Sequence, residues 1–317
     1  MTARTRIGSA IALGSPHVEL LDEWDLSVVD FSPGGRAGLA AALHDVEGLL
    51  VNSHATVDAT TLELAPRLRA ISTVSVGFDH IDVAVAGRRA ITVTTAPVLS
   101  DAGADLTLAL IIMTARRLRE AVEDLTRGVW STGLLGTDVR GKRLLLVGFG
   151  RIGREVAARA LACKMSVCAF DVRSNVPPMV GVDRVESLAE GLGQADVVSL
   201  HVDLNPSTRH LLDAAAFAMM KPTAIVINTA RGSVVDQAAL TQALVEHRIA
   251  GAGLDVLEQE PPDPRDPLLR LPNVVVLPHI GSATTETRRA MLDCAVDNLV
   301  ACMRGERCEH ALVIAPT

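Results

Sequence analysis

"RLLLVGFGRIGREVAARAL", residues 143–161, decides how the rest of the chain is read. A run of branched apolar residues leads into Gly148, Gly150 and Gly153, and these lead into apolar and charged residues at helical spacing. That order is strand, turn, helix. Gly148 suits the tight turn, Gly150 lets the backbone approach a pyrophosphate, and Gly153 lets helix and strand pack closely. The start of the helix offers unpaired N–H groups and the positive end of its dipole to phosphate. A tight turn into a packed helix uses the same glycines, so the next strand is the second check. "MSVCAFD", 165–171, ends on Asp171, 18 residues beyond Gly153 and near the ~20-residue offset of an acid that holds adenosine ribose hydroxyls. A carboxylate there repels a 2′-phosphate and favours NAD(H), while Arg173 close by keeps NADP(H) open. A methyltransferase can present a similar turn and acid; later residues argue against one.

The same beat continues in both directions. With "RLLLV" and "MSVCAFD", the segments "ADVVSLHV", "TAIVINTA", "IAGAGLDV" and "NVVVLPHI" make six candidate strands, as a full dinucleotide-binding sheet requires. Toward the N-terminus, "RIGSAIAL", "DLSVVDF", "VEGLLVN", "LRAISTVS" and "ITVTTAPVLS" read as strands, with helical stretches such as "TTLELAPRL" between them. Between the two series, residues 104–130 read as one long helix with a buried first end. Residues 284–306 read as a helix that begins at a Thr cap. The expected fold class is α/β, with two Rossmann-like parallel-sheet domains.

Composition agrees with two globular domains: 317 residues, 49% hydrophobic and 21% charged. A net charge of −7 with scattered basic residues argues against a nucleic-acid partner. Five Phe, two Trp and no Tyr leave the core to aliphatic residues, which suits buried parallel strands. No apolar run reaches the ~20 residues of a membrane span, and the short one after Arg4 and Arg6 reads as a first strand rather than a signal peptide. Cys163, Cys168, Cys294, Cys302 and Cys308 form no CxxC pair. They are expected to be small core residues of a reduced, cytoplasmic protein without a metal site.

Three late stretches each place a reactive side chain just after a strand: "IVINTARGS" gives Arg231, "LDVLEQEPP" gives Glu260, and "VVVLPHIGSAT" gives His279. Ligands of an open parallel sheet lie outside the carboxyl ends of its strands, so the three are placed to converge. Carbonyl reduction beside a carboxylate needs this trio. Arginine binds a carboxylate or polarises a carbonyl oxygen, histidine exchanges the proton of the developing alkoxide, and a neighbouring Glu favours the imidazolium. Each alone has a bland reading as a surface contact or loop residue.

With "VGFGRIGREVA", "ADVVSLHV", "MKPTAIVINTARGSVVDQAAL", "AGAGLDVLEQEPP" and "LPHIGSAT", the chain resembles the D-isomer-specific 2-hydroxyacid dehydrogenases over nearly its whole length. "ISTVSVGFDHID" and "ARRLREAVEDLTRGVW" bring it nearest to the glyoxylate/hydroxypyruvate reductases. The resemblance implies a substrate-binding domain of residues 1–96 plus 284–317 and an NAD-binding domain of residues 97–283, with the active site in the cleft between them. It implies substrate binding by Arg231, an acid–base pair of His279 and Glu260, and backbone N–H groups of Val76 and Gly77 on the substrate carboxylate. Arg151 and Ile152 would face the pyrophosphate and Asp255 the nicotinamide carboxamide, with further cofactor contacts at His201, Thr229, Ala230 and Gly281. A homodimer through the cofactor domains is implied as well. His54 follows a first-domain strand and is either a contact to the distal end of a substrate or an exposed loop residue. His80 is expected to be structural.

Gly103-Ala104-Asp105 stands where the family commonly has Thr-Ala-Glu, and Asp203 where it usually has proline. These departures bear on substrate and affinity rather than on reaction class. 3-Phosphoglycerate, a larger 2-hydroxy acid and phosphite are alternative substrates. The chain is short for an added regulatory domain, and no lysine lies near Val76 to favour phosphite. An NAD-sensing, corepressor-like module is the alternative outside catalysis.

Overall fold

The computed structural model describes residues 4–32, 35–98 and 100–313. It divides into two compact units, Met1–Leu99 with Thr284–Thr317, and Ser100–Ala283. Among the described residues, the sheet of the first unit holds β1 (Arg6–Ser9), β2 (Asp25–Val28), β3 (Val46–Val51), β4 (Ala70–Thr73), β5 (Thr92–Thr94) and, from the end of the chain, β13 (Ala311–Val313). The second unit holds β6 (Arg143–Val147), β7 (Ser166–Phe170), β8 (Val182–Arg184), β9 (Val197–Leu200), β10 (Ile225–Asn228), β11 (Gly251–Leu254) and β12 (Val274–Val276).

The second sheet runs β12-β11-β10-β9-β6-β7-β8, and every neighbouring pair is parallel. The chain winds outward in both directions from β6, so the order reverses between β6 and β9, where the glycine turn emerges. Such a switch point is where doubly wound sheets hold ligands. The strands β9, β10 and β11 are buried at every residue because helices cover both faces. That is why they appear in sequence as unbroken apolar runs. The short edge strand β8 was not expected: "VDR" is three residues long, mostly exposed, and is held through its backbone pairing to β7.

The stretch expected as one long helix is two, Asp101–Ala115 and Leu118–Thr126. Arg117 between them has φ +53°, a conformation that ends a helix. The cause lies 20 residues on. The Thr137 N–H donates to the Ala115 carbonyl at 2.8 Å, and Gly136 lies so close that a Cβ there would sit 2.6 Å from Arg116 Cα. The crossing segment occupies the helix end.

In the first unit the order is β13-β5-β4-β3-β1-β2, parallel except for the antiparallel β13. The helix Thr285–Arg304 starts where Thr284 accepts from the Thr287 N–H and stops at Gly305 in the left-handed region. Leu299 and Met303 of this helix lie on the sheet at Gly48, where a Cβ would meet Met303 Sδ at 2.8 Å. Ser72 Oγ donates to the Ala295 carbonyl at 2.7 Å and Asn298 to the Thr95 carbonyl at 3.0 Å, so the buried polar groups of the contact are paired. The expectation of unpaired cysteines is corrected here: Cys163, Cys168 and Cys294 are free, but Cys302 and Cys308 are joined by a disulfide. The chain turns between them at Gly305, which brings their Cα atoms to 6.0 Å. No helix among the described residues is long and apolar enough to cross a membrane.

Candidate active site

The second unit gathers its chemistry on the turns that follow β6, β7, β9, β10, β11 and β12. Gly148 has φ +92°, and a Cβ there would sit 2.5 Å from the His201 carbonyl oxygen. A Cβ on Gly153 would sit 2.5 Å from the Gly148 oxygen, so strand, turn and helix Arg151–Ala162 close on one another as expected. Gly150 differs. A Cβ there would meet nothing nearer than Arg173 Nη2 at 3.9 Å, and no side chain caps the helix that begins after it. Open space before an uncapped helix N-terminus fits the pyrophosphate of a dinucleotide. Arg151 is the exposed first residue of that helix, and Ile152 packs partly into the core.

Asp171 closes the other side of the turn. Its Oδ2 accepts from the Phe149 N–H at 2.8 Å, and its Oδ1 from the Arg173 N–H at 2.9 Å. Both oxygens also accept from the Arg173 guanidinium, at 2.9 and 2.8 Å. The guanidinium first, with the Phe149 and Arg173 N–H groups, holds the carboxyl far below the usual carboxylate range despite its burial. Arg173 is thus engaged by Asp171, and Asp203 lies within electrostatic reach of it. His201 shares a 2.9 Å bond between Nε2 and Ser199 Oγ, and burial pushes its imidazole down to about 4. It is neutral at physiological pH.

After β10, Thr229 Oγ1 lies 2.9 Å from Thr107 Oγ1, whose own hydrogen goes to the Gly103 carbonyl at 2.7 Å. Thr229 is therefore the donor of that pair. Ala230 donates its N–H to Asn228 Oδ1 at 3.0 Å, and Arg231 donates through Nη1 to the Ala230 carbonyl at 2.8 Å. Asp255, after β11, is buried. It accepts from the Ile280 N–H at 2.8 Å and the Gly281 N–H at 2.7 Å, while its carbonyl takes the His279 N–H at 2.8 Å. Burial, chiefly, raises its carboxyl against those two bonds. Asp255 thus anchors the loop that presents His279, which has φ +54°.

Glu260 and His279 are brought together: Nδ1 of the ring lies 2.6 Å from Oε2. Oε1 accepts from the Leu257 N–H at 3.0 Å. Burial pushes the Glu260 carboxyl up, but the His279 ring bond, the Leu257 N–H and the charges of His279 and Arg231 outweigh it and leave it below the usual range. An ionised Glu260 accepts the Nδ1 hydrogen, which leaves Nε2 as the ring position that can gain or lose a proton.

Sequence reasoning missed Asn228 and Gly232. Asn228 is buried, and its amide donates to the Arg231 carbonyl at 2.9 Å while its Oδ1 holds Ala230, clamping the Arg231 turn. An Asn closing a strand two residues before a turn is the signal that was available. A Cβ on Gly232 would sit 1.9 Å from the Leu257 carbonyl, so the Arg231 turn lies directly against the turn that carries Glu260. Asp105, in the departure from the family pattern, pairs with Arg159 at 2.6 Å, and Asp101 with the same guanidinium at 2.8 Å. In the first unit, Val76 is exposed, the Gly77 carbonyl accepts from Ser75 Oγ at 2.6 Å, and His54 is exposed on a turn where its N–H meets Asn52 Oδ1 at 3.0 Å. Among the described residues no cluster of His, Cys, Asp or Glu is placed to hold a metal.

Residues 108–281 match the profile of the D-isomer specific 2-hydroxyacid dehydrogenase NAD-binding domain. A glyoxylate reductase from Korarchaeum cryptofilum is 43% identical over 92% of this chain and 88% of its own. An NADPH-dependent glyoxylate/hydroxypyruvate reductase from Sinorhizobium meliloti, solved with NADP and malonate, superposes with a TM-score of 0.88 at 32% identity, covering 99% of each chain. A D-lactate dehydrogenase from Aquifex aeolicus, solved with NAD and lactic acid, superposes with a TM-score of 0.87 at 28% identity, covering 98% of this chain and 100% of that one.

Proposed function

The chain belongs to the D-isomer specific 2-hydroxyacid dehydrogenases, oxidoreductases acting on the CH–OH group of donors, and on that premise we propose that it reduces a small 2-keto acid of the glyoxylate or hydroxypyruvate type with NAD(H). The observation that carries the reading is the 2.6 Å pair of His279 and Glu260, with the Arg231 charge acting on the same carboxylate.

The nicotinamide cofactor supplies the hydride. The residues assigned to hold it are Gly150 and the helix start at Arg151 and Ile152 for pyrophosphate, Asp171 for ribose, and Asp255, Thr229, Ala230, His201 and Gly281 around the remainder. In the reducing direction His279 delivers a proton from Nε2 to the oxygen on C2. Glu260, fixed by the Leu257 N–H, accepts the Nδ1 hydrogen throughout, so the ring keeps one orientation. Arg231 binds the carboxylate or polarises the carbonyl oxygen, and the Val76 and Gly77 N–H groups receive the carboxylate. Asp171 supports NAD(H) over NADP(H), because its carboxylate already engages the Arg173 guanidinium and Asp203 adds a second negative charge within electrostatic reach of it.

A homodimer through the second unit goes with this reading. Leu118, Val122, Leu125, Val129, Trp130 and Leu135 are all exposed, and Leu135 lines a cavity of about 640 Å³ whose wall includes Met113, Leu244 and Val275. Trp130→Asp is expected to yield monomers by light scattering where the wild type yields dimers.

The test of function is cofactor oxidation with glyoxylate, hydroxypyruvate, and branched and aromatic 2-keto acids, each with NADH and with NADPH. Preference for the two-carbon and three-carbon acids with NADH is expected. NADH binding without turnover of any acid would replace the enzyme reading with a sensing one.

A further inference from the structure

We propose that the buried hydroxyls of Thr73 and Ser75, headed by the His80 ring, are positioning residues that pre-set the Val76–Phe78 backbone as a cradle for the substrate carboxylate. The proposal rests on the assignment of the carboxylate to the Val76 and Gly77 N–H groups, and it deepens that reading.

Three contacts link the groups. Ser75 Oγ lies 2.6 Å from the Gly77 carbonyl, Thr73 Oγ1 lies 2.7 Å from Ser75 Oγ, and His80 Nε2 lies 3.0 Å from Thr73 Oγ1. Chemistry fixes their direction. A carbonyl oxygen only accepts, so the Ser75 hydrogen is committed to Gly77. Ser75 must then accept from Thr73, and Thr73, its own hydrogen spent, must accept from an Nε2–H of His80. All the hydrogens point one way, and the His80 ring carries hydrogen at Nε2. Thr73 is fully buried and Ser75 nearly so, so water does not compete, and an unpaired hydroxyl there would be costly.

The flanks of the loop are held independently. Val74 donates its N–H to Val51, the Ser75 carbonyl accepts from Ala96, and the His80 carbonyl accepts from Val57. Between these anchors, no acceptor among the described residues takes the N–H of Val76, Gly77 or Phe78. The peptide joining Gly77 to Phe78 is trans, so its C=O and N–H point in opposite directions. Drawing the Gly77 oxygen onto Ser75 therefore removes an exposed acceptor that would repel an anion, and it aims the Phe78 N–H away from the buried hydroxyls. Phe78 becomes a third donor of the cradle. An anion matches a loop with unspent N–H groups and its carbonyl turned inward.

The experiment is Ser75→Ala and, as a near-isosteric second break should that protein fail to fold, Thr73→Val. Steady-state kinetics with glyoxylate and NADH should show KM raised about tenfold in Ser75→Ala and several-fold in Thr73→Val. Turnover number and NADH dissociation constant should stay near wild type, while Tm falls by a few degrees because the buried hydroxyl left behind loses its partner; Ser75→Thr should recover most of the affinity. Amide nitrogen shifts of the NADH-bound wild type on adding oxamate test the underlying assignment. Shifts at Val76, Gly77 and Phe78 support both statements. Shifts at Val76 and Gly77 with unchanged KM in both variants overturn the relay alone, and no shift at any of the three overturns the carboxylate assignment itself.

Discussion

Gly232→Ala tests whether the two turns that bear Arg231 and Glu260 are held in register by a single missing side chain. The new Cβ would lie 1.9 Å from the Leu257 carbonyl carbon and oxygen and 2.4 Å from the Glu258 nitrogen. These are backbone atoms and cannot swing aside. Ordinary contact begins at 3.4 Å, so one turn must retreat by about 1.5 Å. Leu257 also donates its N–H to Glu260, which orients His279, so the retreat separates Arg231 from the Glu260–His279 pair. A misplacement of about 1 Å costs on the order of 100-fold in rate, and overpacking costs roughly 1–3 kcal/mol of stability. We expect kcat/KM for glyoxylate with NADH to fall at least about 100-fold, from continuous assay of NADH absorbance, with Tm lowered by several degrees. Gly150→Ala is the control, because its Cβ meets only Arg173 Nη2 at 3.9 Å. Its Tm should match wild type while its KM for NADH rises. A Gly232→Ala enzyme within threefold of wild-type kcat/KM at unchanged Tm would refute the clamp.

Other expectations follow from the same contacts. His279→Ala should lower turnover by orders of magnitude while NADH binding, followed by fluorescence titration, changes little; unchanged turnover removes the proton-transfer role. Asp171→Ala should raise the ratio of NADPH to NADH efficiency at least about tenfold, since a full charge near a 2′-phosphate is removed; an unchanged ratio places selectivity elsewhere. His201 is held at about 4, below the ordinary histidine range near 6.5, so the unfolded chain binds a proton that the folded chain refuses. Stability is therefore lost as pH falls through that window, by roughly 3 kcal/mol in all. Urea denaturation of His201→Asn at pH 7 and near pH 4 should show a smaller pH-dependent loss than wild type, and equal losses would contradict the assignment.

The second unit was legible because its information is local. Parallel strands covered on both faces must be continuous apolar runs, and turns between strand and helix must carry glycine where a side chain would strike backbone, as at Gly148. Arg231, Glu260 and His279 stand three to six residues beyond strand ends, so strand positions alone aligned them with one edge of the sheet. What could not be read depended on distant partners. The edge strands β8 and β13 are three residues each, and β8 has no buried pattern of its own. The helix break at Arg117 is imposed by Thr137, and the pairing of Cys302 with Cys308 depends on a turn that spacing does not announce.

The sequence by itself determined the two sheets, the glycine turn and the places of Arg231, Glu260 and His279 beyond strand ends, because each follows from periodicity or from a steric demand within a few residues. Only the tertiary structure decided how those side chains are aimed. The ring orientation of His279 depends on Glu260, 19 residues away; the Arg231 turn is set against Leu257 across a gap no side chain could share; and Asp255 spends its carboxylate on the loop beyond β12. Hydrogen-bond direction and van der Waals contact exist only between atoms already placed, so no spacing along the chain could encode them visibly.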